Sequence, residues 1–95
     1  MKAYMVFTRE KTTDAAELAI YFEKVRATFE GHEIKVLASY GKHEVLEGDA
    51  TEGVVVVEFP SAAAAKAWYD SPGYTEVRKH REAGSVYRAI LVEGV

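Results

Sequence analysis

Six elements in the order β-α-β-β-α-β predict an α+β sandwich, one antiparallel sheet under a layer of helices. Three observations carry that expectation. An apolar stripe at intervals of three and four follows Asp14, and four consecutive valines, 54–57, stand between Gly53 and Glu58. Ser61 then opens an alanine-rich helical stretch that leads to a last β-rich run at the end of the chain.

Ala3 to Thr8 is a short run of high β-propensity. Thr12, Thr13 and Asp14 offer helix caps, with Glu17 three residues after Asp14 in a capping-box relation. Leu18, Tyr21, Phe22, Val25 and Phe29 make one apolar helical face, and Gly31 falls where such a helix ends in a left-handed conformation. Ile34 to Tyr40 alternates as a half-buried strand; Gly41 marks a bulge, after which His43 to Leu46 prolongs the strand. Gly48 and Asp49 open a polar hairpin loop into Gly53–Phe59, the strongest strand in the chain. Ser61 caps a helix over Ala62–Tyr69. Pro72 either ends that helix or starts another, with Ser71 as its cap. Tyr74, Val77 and Arg81 continue at helical spacing to Gly84, and Ser85–Glu93 is the last strand.

Right-handed crossovers turn this order into the split βαβ arrangement of a ferredoxin-like sandwich. Both helices lie on one face of a four-stranded sheet, with the first and third strands central and the second and fourth at the edges. The central strands are apolar on both faces: Tyr4 and Val6 oppose Ala3, Met5 and Phe7, while Val54 and Val56 oppose Val55, Val57 and Phe59. Helices can cover only one of those faces. The other would leave an apolar patch larger than a soluble monomer tolerates. Its expected cover is the same face of a second copy, a self-complementary two-fold homodimer.

The 95 residues fit a single domain, 1–95, large enough to need no metal or disulfide staple. A net charge of −3 argues against nucleic acid, whose phosphates demand clustered positive charge. The one basic run, Arg78-Lys79-His80-Arg81, lies between Glu76 and Glu82 and is expected to spread around a solvated helix face. The absence of cysteine removes thiolate catalysis and thiolate metal sites and suits a reducing compartment. The N-terminus lacks the apolar run of a signal peptide, and no segment reaches the ~20 apolar residues of a membrane span. A soluble, cytoplasmic protein is the simplest expectation.

Four collinear stretches carry a resemblance: Val45-Leu46-Glu47-Gly48-Asp49; Glu58-Phe59-Pro60-Ser61 after the valines; Ala67-Trp68-Tyr69-Asp70-Ser71-Pro72-Gly73-Tyr74; and the terminal Leu91-Val92-Glu93-Gly94. Together they resemble the domain-of-unknown-function 1330 family over nearly the whole chain. The resemblance implies the dimeric α/β-barrel variant of the ferredoxin-like fold, and no particular activity. Tyr21, Val25, Phe29 and His32 match the family's pattern, but its usual Gly-Gly after that His is Glu33-Ile34 here. Its Arg-Gly-Gly near the end of the second strand is Ser39-Tyr40-Gly41. If those glycines let the backbone approach a ligand closely, the pocket of this chain has a different shape.

Histidine is the side chain whose unperturbed titration lies nearest neutrality, and the chain has three, His32, His43 and His80. His32 or His43 could line a cavity as a base, or two of them could hold a metal, yet neither H-x-H nor HExxH spacing occurs and no metal site is expected. As exposed loop and helix-end residues they need no function. Trp68 and Tyr69 could wall a pocket, although the spacing of Ala64, Ala65 and Trp68 favours core packing and leaves Tyr69 the better pocket or interface candidate. Ser71 beside Asp70 has no histidine base in sequence reach and is explained by capping alone. No phosphate loop and no cofactor motif is present.

Three functions are compatible with these residues. The first is a small homodimeric protein binding an apolar metabolite, with Tyr21, Tyr40, Trp68 and Tyr69 as ligand contacts. The second is a cofactor-independent enzyme, monooxygenase- or isomerase-like, by analogy of fold. It would use His32 or His43 as base, Arg26 or Arg81 as anion holder, and a tyrosine as hydrogen-bond donor. The third is a structural or regulatory interaction module that uses the open sheet face.

Overall fold

The four valines lie in a central strand. β3 (Gly53–Phe59) pairs antiparallel with β1 (Ala3–Thr12), and the sheet is ordered β2 (Lys35–Ser39), β3, β1, β4 (Ser85–Glu93). This is the expected α+β, ferredoxin-like architecture, seen here in a computed structural model that describes all of residues 1–95. Register puts Ala3 beside Phe59, Met5 beside Val57 and Phe7 beside Val55. Five of these six side chains are fully buried beneath the helices, and a slip of one residue would expose them all.

Asp14 caps α1 (Ala15–Lys24) through its Oδ1, which accepts from the Ala16 and Glu17 amides at 3.1 and 3.3 Å. The Glu17 carboxylate does not fold back to complete a capping box. It pairs instead with His80 Nδ1 at 2.8 Å. After α1 the chain tightens into a 3-10 helix, Val25–Phe29, and leaves it through Gly31 at φ +81°.

The second crossover is two helices. α2 (Ala62–Tyr69) is capped by Ser61, and Pro72 opens α3 (Pro72–Gly84). Ser71 Oγ serves both, donating to the Trp68 carbonyl at 2.7 Å and accepting from the Tyr74 amide at 3.3 Å. The end of α3 is tied to the start of α1: the Gly84 carbonyl accepts from the amides of Thr13 and Asp14 at 2.9 and 3.0 Å. A side chain at Gly84 would come within 2.6 Å of the Asp14 carbonyl oxygen, so only glycine permits the approach.

The second strand departs from expectation. It ends at Ser39, because Tyr40 turns the chain at φ +54°, and His43–Leu46 lie in an irregular loop. The break in register falls between Val36 and Ala38 rather than at Gly41. Nor is β2 half-buried: every residue in it is exposed, since it is an edge strand packed mainly on β3 and the helices lie over the other strands.

On the face away from the helices, Val6 stands between Val56 and Ile90, and Tyr4 between Glu58 and Val92. Val86, Ile90 and Val92 are about half exposed there. No helix is long and apolar enough to cross a membrane.

Candidate functional site

The apolar stripe of α1 and the 3-10 helix does not close completely onto the sheet. Between them lies a cavity of about 110 Å³, in which eleven of the thirteen lining residues are hydrophobic; Arg26 and Ser39 are the other two. Phe7, Val55, Val57 and Tyr87 form its sheet side, and Tyr21, Phe22, Val25 and Phe29 its helix side. Phe22 and Val36 are exposed at its rim.

Trp68 closes one wall. It is 2% exposed, stacks on Tyr74 with ring centroids 3.9 Å apart, and meets Phe7, Phe29 and Phe59 at 5.7–6.5 Å. Its indole N–H donates to Thr28 Oγ1 at 3.1 Å, which satisfies the one polar atom of a ring otherwise held in apolar surroundings. Trp68 is thus core and cavity wall together.

Four phenols meet in two pairs. The hydroxyls of Tyr21 and Tyr74 are 2.9 Å apart and buried. Those of Tyr40 and Tyr87 are also hydrogen-bonded. Tyr40 reaches this position because its ring crosses Gly53, where a Cβ would lie 2.3 Å from the ring. Burial pushes the Tyr21, Tyr40 and Tyr74 phenols above their ordinary range. For Tyr40 the hydrogen bond to Tyr87 acts in the same direction, and the charges of Arg9 and Arg81 oppose it.

The buried cation beside these phenols is Arg81, and here the structure corrects the expected solvated basic face. Helical spacing aligns Arg81 with Tyr74 and Gly84 on the buried side of α3, and it is 5% exposed. Its guanidinium carbon lies 4.9 Å from the Tyr87 ring centroid, 5.7 Å from Phe7 and 6.0 Å from Tyr21. Nε has no hydrogen-bond partner, and no carboxylate is within ion-pairing distance. Burial opposes its charge, but the Tyr74 and Tyr21 oxygens outweigh that and hold its proton more tightly than usual. Cation–π contacts contribute ~0.5–2 kcal/mol each, against several kcal/mol to desolvate an ion. The rings offset part of that cost. They do not neutralise the charge.

Among the residues singled out from sequence, Tyr21, Tyr40, Trp68 and Arg26 line the cavity, and Arg81 stands behind three of its rings. Tyr69 lies outside it, in recesses along β4, with the Arg78 guanidinium 4.3 Å above its ring. His32 and His43 do not line the cavity. His32 follows the Gly31 turn, and exposed His43 bonds through Nε2 to the Thr51 carbonyl at 2.8 Å. Phe22 and Tyr87 were not anticipated as site residues. Alternation would have found Tyr87, which shares the face of Ala89 and Leu91.

The model of a family described as a domain of unknown function, DUF1330, matches residues 2–95. No curated protein matches the sequence. Among solved structures, the RPA0582 protein of unknown function from Rhodopseudomonas palustris superposes with a TM-score of 0.76 at 24% identity, covering 99% of this chain and 82% of that one. A dimeric protein of unknown function with a ferredoxin-like fold from Bacteroides fragilis gives 0.64 at 13% identity, over 98% and 96%. SnoaB, a cofactor-independent oxygenase from Streptomyces nogalater, gives 0.62 at 16% identity, over 99% and 93%. At these identities the likeness is one of fold.

Proposed function

The chain belongs to the DUF1330 family, and from that premise we propose that it is a homodimeric protein binding a small apolar molecule in the cavity between α1 and the sheet. The observation that carries this reading is a cavity, apolar on nearly every side, that persists in a core otherwise packed with interlocking rings. Packed interiors rarely leave such space, because an empty volume forfeits contacts on every wall. An engineered cavity of ~150 Å³ is enough to hold benzene. The smaller volume here, open at Phe22 and Val36, suits one ring with its substituents at the mouth. The open sheet face and the dimeric neighbour support self-association through that face.

Trp68 is the only tryptophan and lines the cavity, so its emission reports occupancy. Titration with a neutral one-ring probe, benzyl alcohol, is expected to change that emission saturably. Val55→Phe, which fills the cavity from the sheet side, is expected to abolish the change without unfolding the protein. No saturable response of the wild-type protein to one-ring probes, neutral or anionic, would overturn the reading.

A second reading, cofactor-independent catalysis, is favoured by one observation: a buried cation beside two phenol pairs resembles the polar equipment of an apolar active site. SnoaB, a fold neighbour, is an oxygenase of that type. In this reading Arg81 is the anion holder and the tyrosines are the donors. Turnover that survives Arg81→Met and Tyr87→Phe together would exclude it.

A further inference from the structure

We infer that the cavity's ligand is an organic anion, a ring-bearing carboxylate held by Arg81 and the spare phenol protons; this rests on the cavity being a binding site. Proton counting makes the case. Each pair of tyrosines carries two hydroxyl protons and uses one between its members, so Tyr21–Tyr74 and Tyr40–Tyr87 each retain one O–H with no acceptor. Arg81 adds donors only: Tyr74 accepts from it, and its Nε is sealed from solvent without a partner. Tyr21, Tyr74 and Arg81, all buried, therefore hold an excess of donors and no anion, and the half-buried Tyr40–Tyr87 pair adds a further donor at the cavity. Tyr74 and Arg81 are buried, so surface water is a poor remedy for that excess.

A carboxylate supplies what is missing. Its two oxygens accept several hydrogen bonds, and its charge balances the guanidinium in a place where an unbalanced charge is costly. Arg81 does not itself line the cavity; Tyr87 borders both the cavity and the recess that Arg81 lines, so a carboxylate at the Tyr87 end faces the guanidinium, 4.9 Å from that ring's centroid. Arg9, 5.0 Å from the Tyr40 ring centroid but paired with Glu52 at 3.2 Å, is one competing cation, and Arg26, at the cavity wall, is the other. It is exposed, and water already solvates it.

The test compares benzoate with benzyl alcohol, nearly equal in shape and different in charge, by Trp68 emission at neutral pH. Wild-type protein should prefer benzoate by about tenfold or more, as expected for a charge-assisted hydrogen bond. Arg81→Met should weaken benzoate binding about tenfold more than benzyl alcohol binding, a differential loss that a change of packing alone, felt by both probes, would not produce. If Arg81→Met does not fold, Tyr40→Phe and Tyr87→Phe replace it, each keeping the ring and cutting the preference severalfold. Equal binding of the two probes would overturn the inference and leave the cavity reading standing. Binding of neither would overturn both. A benzoate preference that survives Arg81→Met but fails in Arg26→Met would move the anion to the cavity mouth and overturn the assignment to Arg81.

Discussion

The hydroxyls of Tyr40 and Tyr87 meet although their strands lie at opposite edges of the sheet. Tyr40 follows β2 and spans the floor by laying its ring over Gly53 of β3, while Tyr87 projects from β4. The contact costs backbone strain, since a non-glycine residue at φ +54° is uncommon and sits ~1 kcal/mol or more above its relaxed state. It also fixes Gly53. A Gly53→Ala methyl would lie 2.3 and 2.6 Å from two Tyr40 ring carbons, so the ring must leave. We expect a loss of ~1–3 kcal/mol, the usual cost of overpacking, in urea unfolding. If Tyr40→Phe in the same background restores none of it, that agrees with a steric cause; a Gly53→Ala protein as stable as wild type would refute the described packing.

Alkaline pH should find the phenols first. Tyr21 and Tyr74 are buried and their folded-state pKa values lie above the ordinary 10.0. Below pH 10 both folded and unfolded chains carry these phenols neutral, and the stability their burial brings is complete. Above it the unfolded chain releases protons that the folded chain keeps, so stability falls by up to about 1.4 kcal/mol per pH unit for each phenol. Tyr40 adds less, because it is partly open to solvent. Unfolding midpoints measured across pH 10 should drop, and Tyr21→Phe should make the drop shallower. Tyrosinate absorbance should arrive partly with unfolding rather than before it.

Ser71 should matter to stability and not to binding. Its hydroxyl joins the end of α2 to the start of α3 and touches no cavity. Ser71→Ala is expected to cost ~0.5–2 kcal/mol in thermal or urea unfolding, with an unchanged Trp68 response to benzyl alcohol. Loss of the response in a folded Ser71→Ala protein would reopen a chemical role for this serine.

The strands and both serine caps were legible because each rests on local chemistry (β-branched runs, period-two alternation, and hydroxyls ahead of alanine or proline), and sheet order followed from the handedness of the crossovers. Arg81 shows where such signals end. Its spacing with Tyr74 put it on the inner face, but its charge and its neighbours Arg78 and Lys79 argued for solvent. What keeps it inside is a set of rings from β1, α1 and β4 that no local pattern brings together. The Tyr40–Tyr87 contact was hidden for the same reason, being 47 residues long in sequence. His32 and His43 drew attention as histidines, the usual residue type of acid–base chemistry, yet each follows a left-handed turn, at Gly31 and Tyr40, and neither lines the cavity.

The open sheet face yields the last prediction. Val6, Val56 and Ile90 form one row across three strands on the side without helices, and Val57 lies on the opposite side, buried. In a facing-sheet dimer a two-fold axis presents every substitution twice. Val56→Asp would then bury two unpaired carboxylates, at several kcal/mol, where ~3 kcal/mol already weakens association about a hundredfold. Native mass spectrometry should report a dimer for wild type and a folded monomer for Val56→Asp and for Val6→Asp. Val57→Asp, aimed into the core, should unfold the chain instead. Because each change introduces charge on one face only, the contrast between Val56 and Val57 separates lost association from lost folding. A Val56→Asp protein that remained dimeric and equally stable would mean that the valine face is not where the two copies meet.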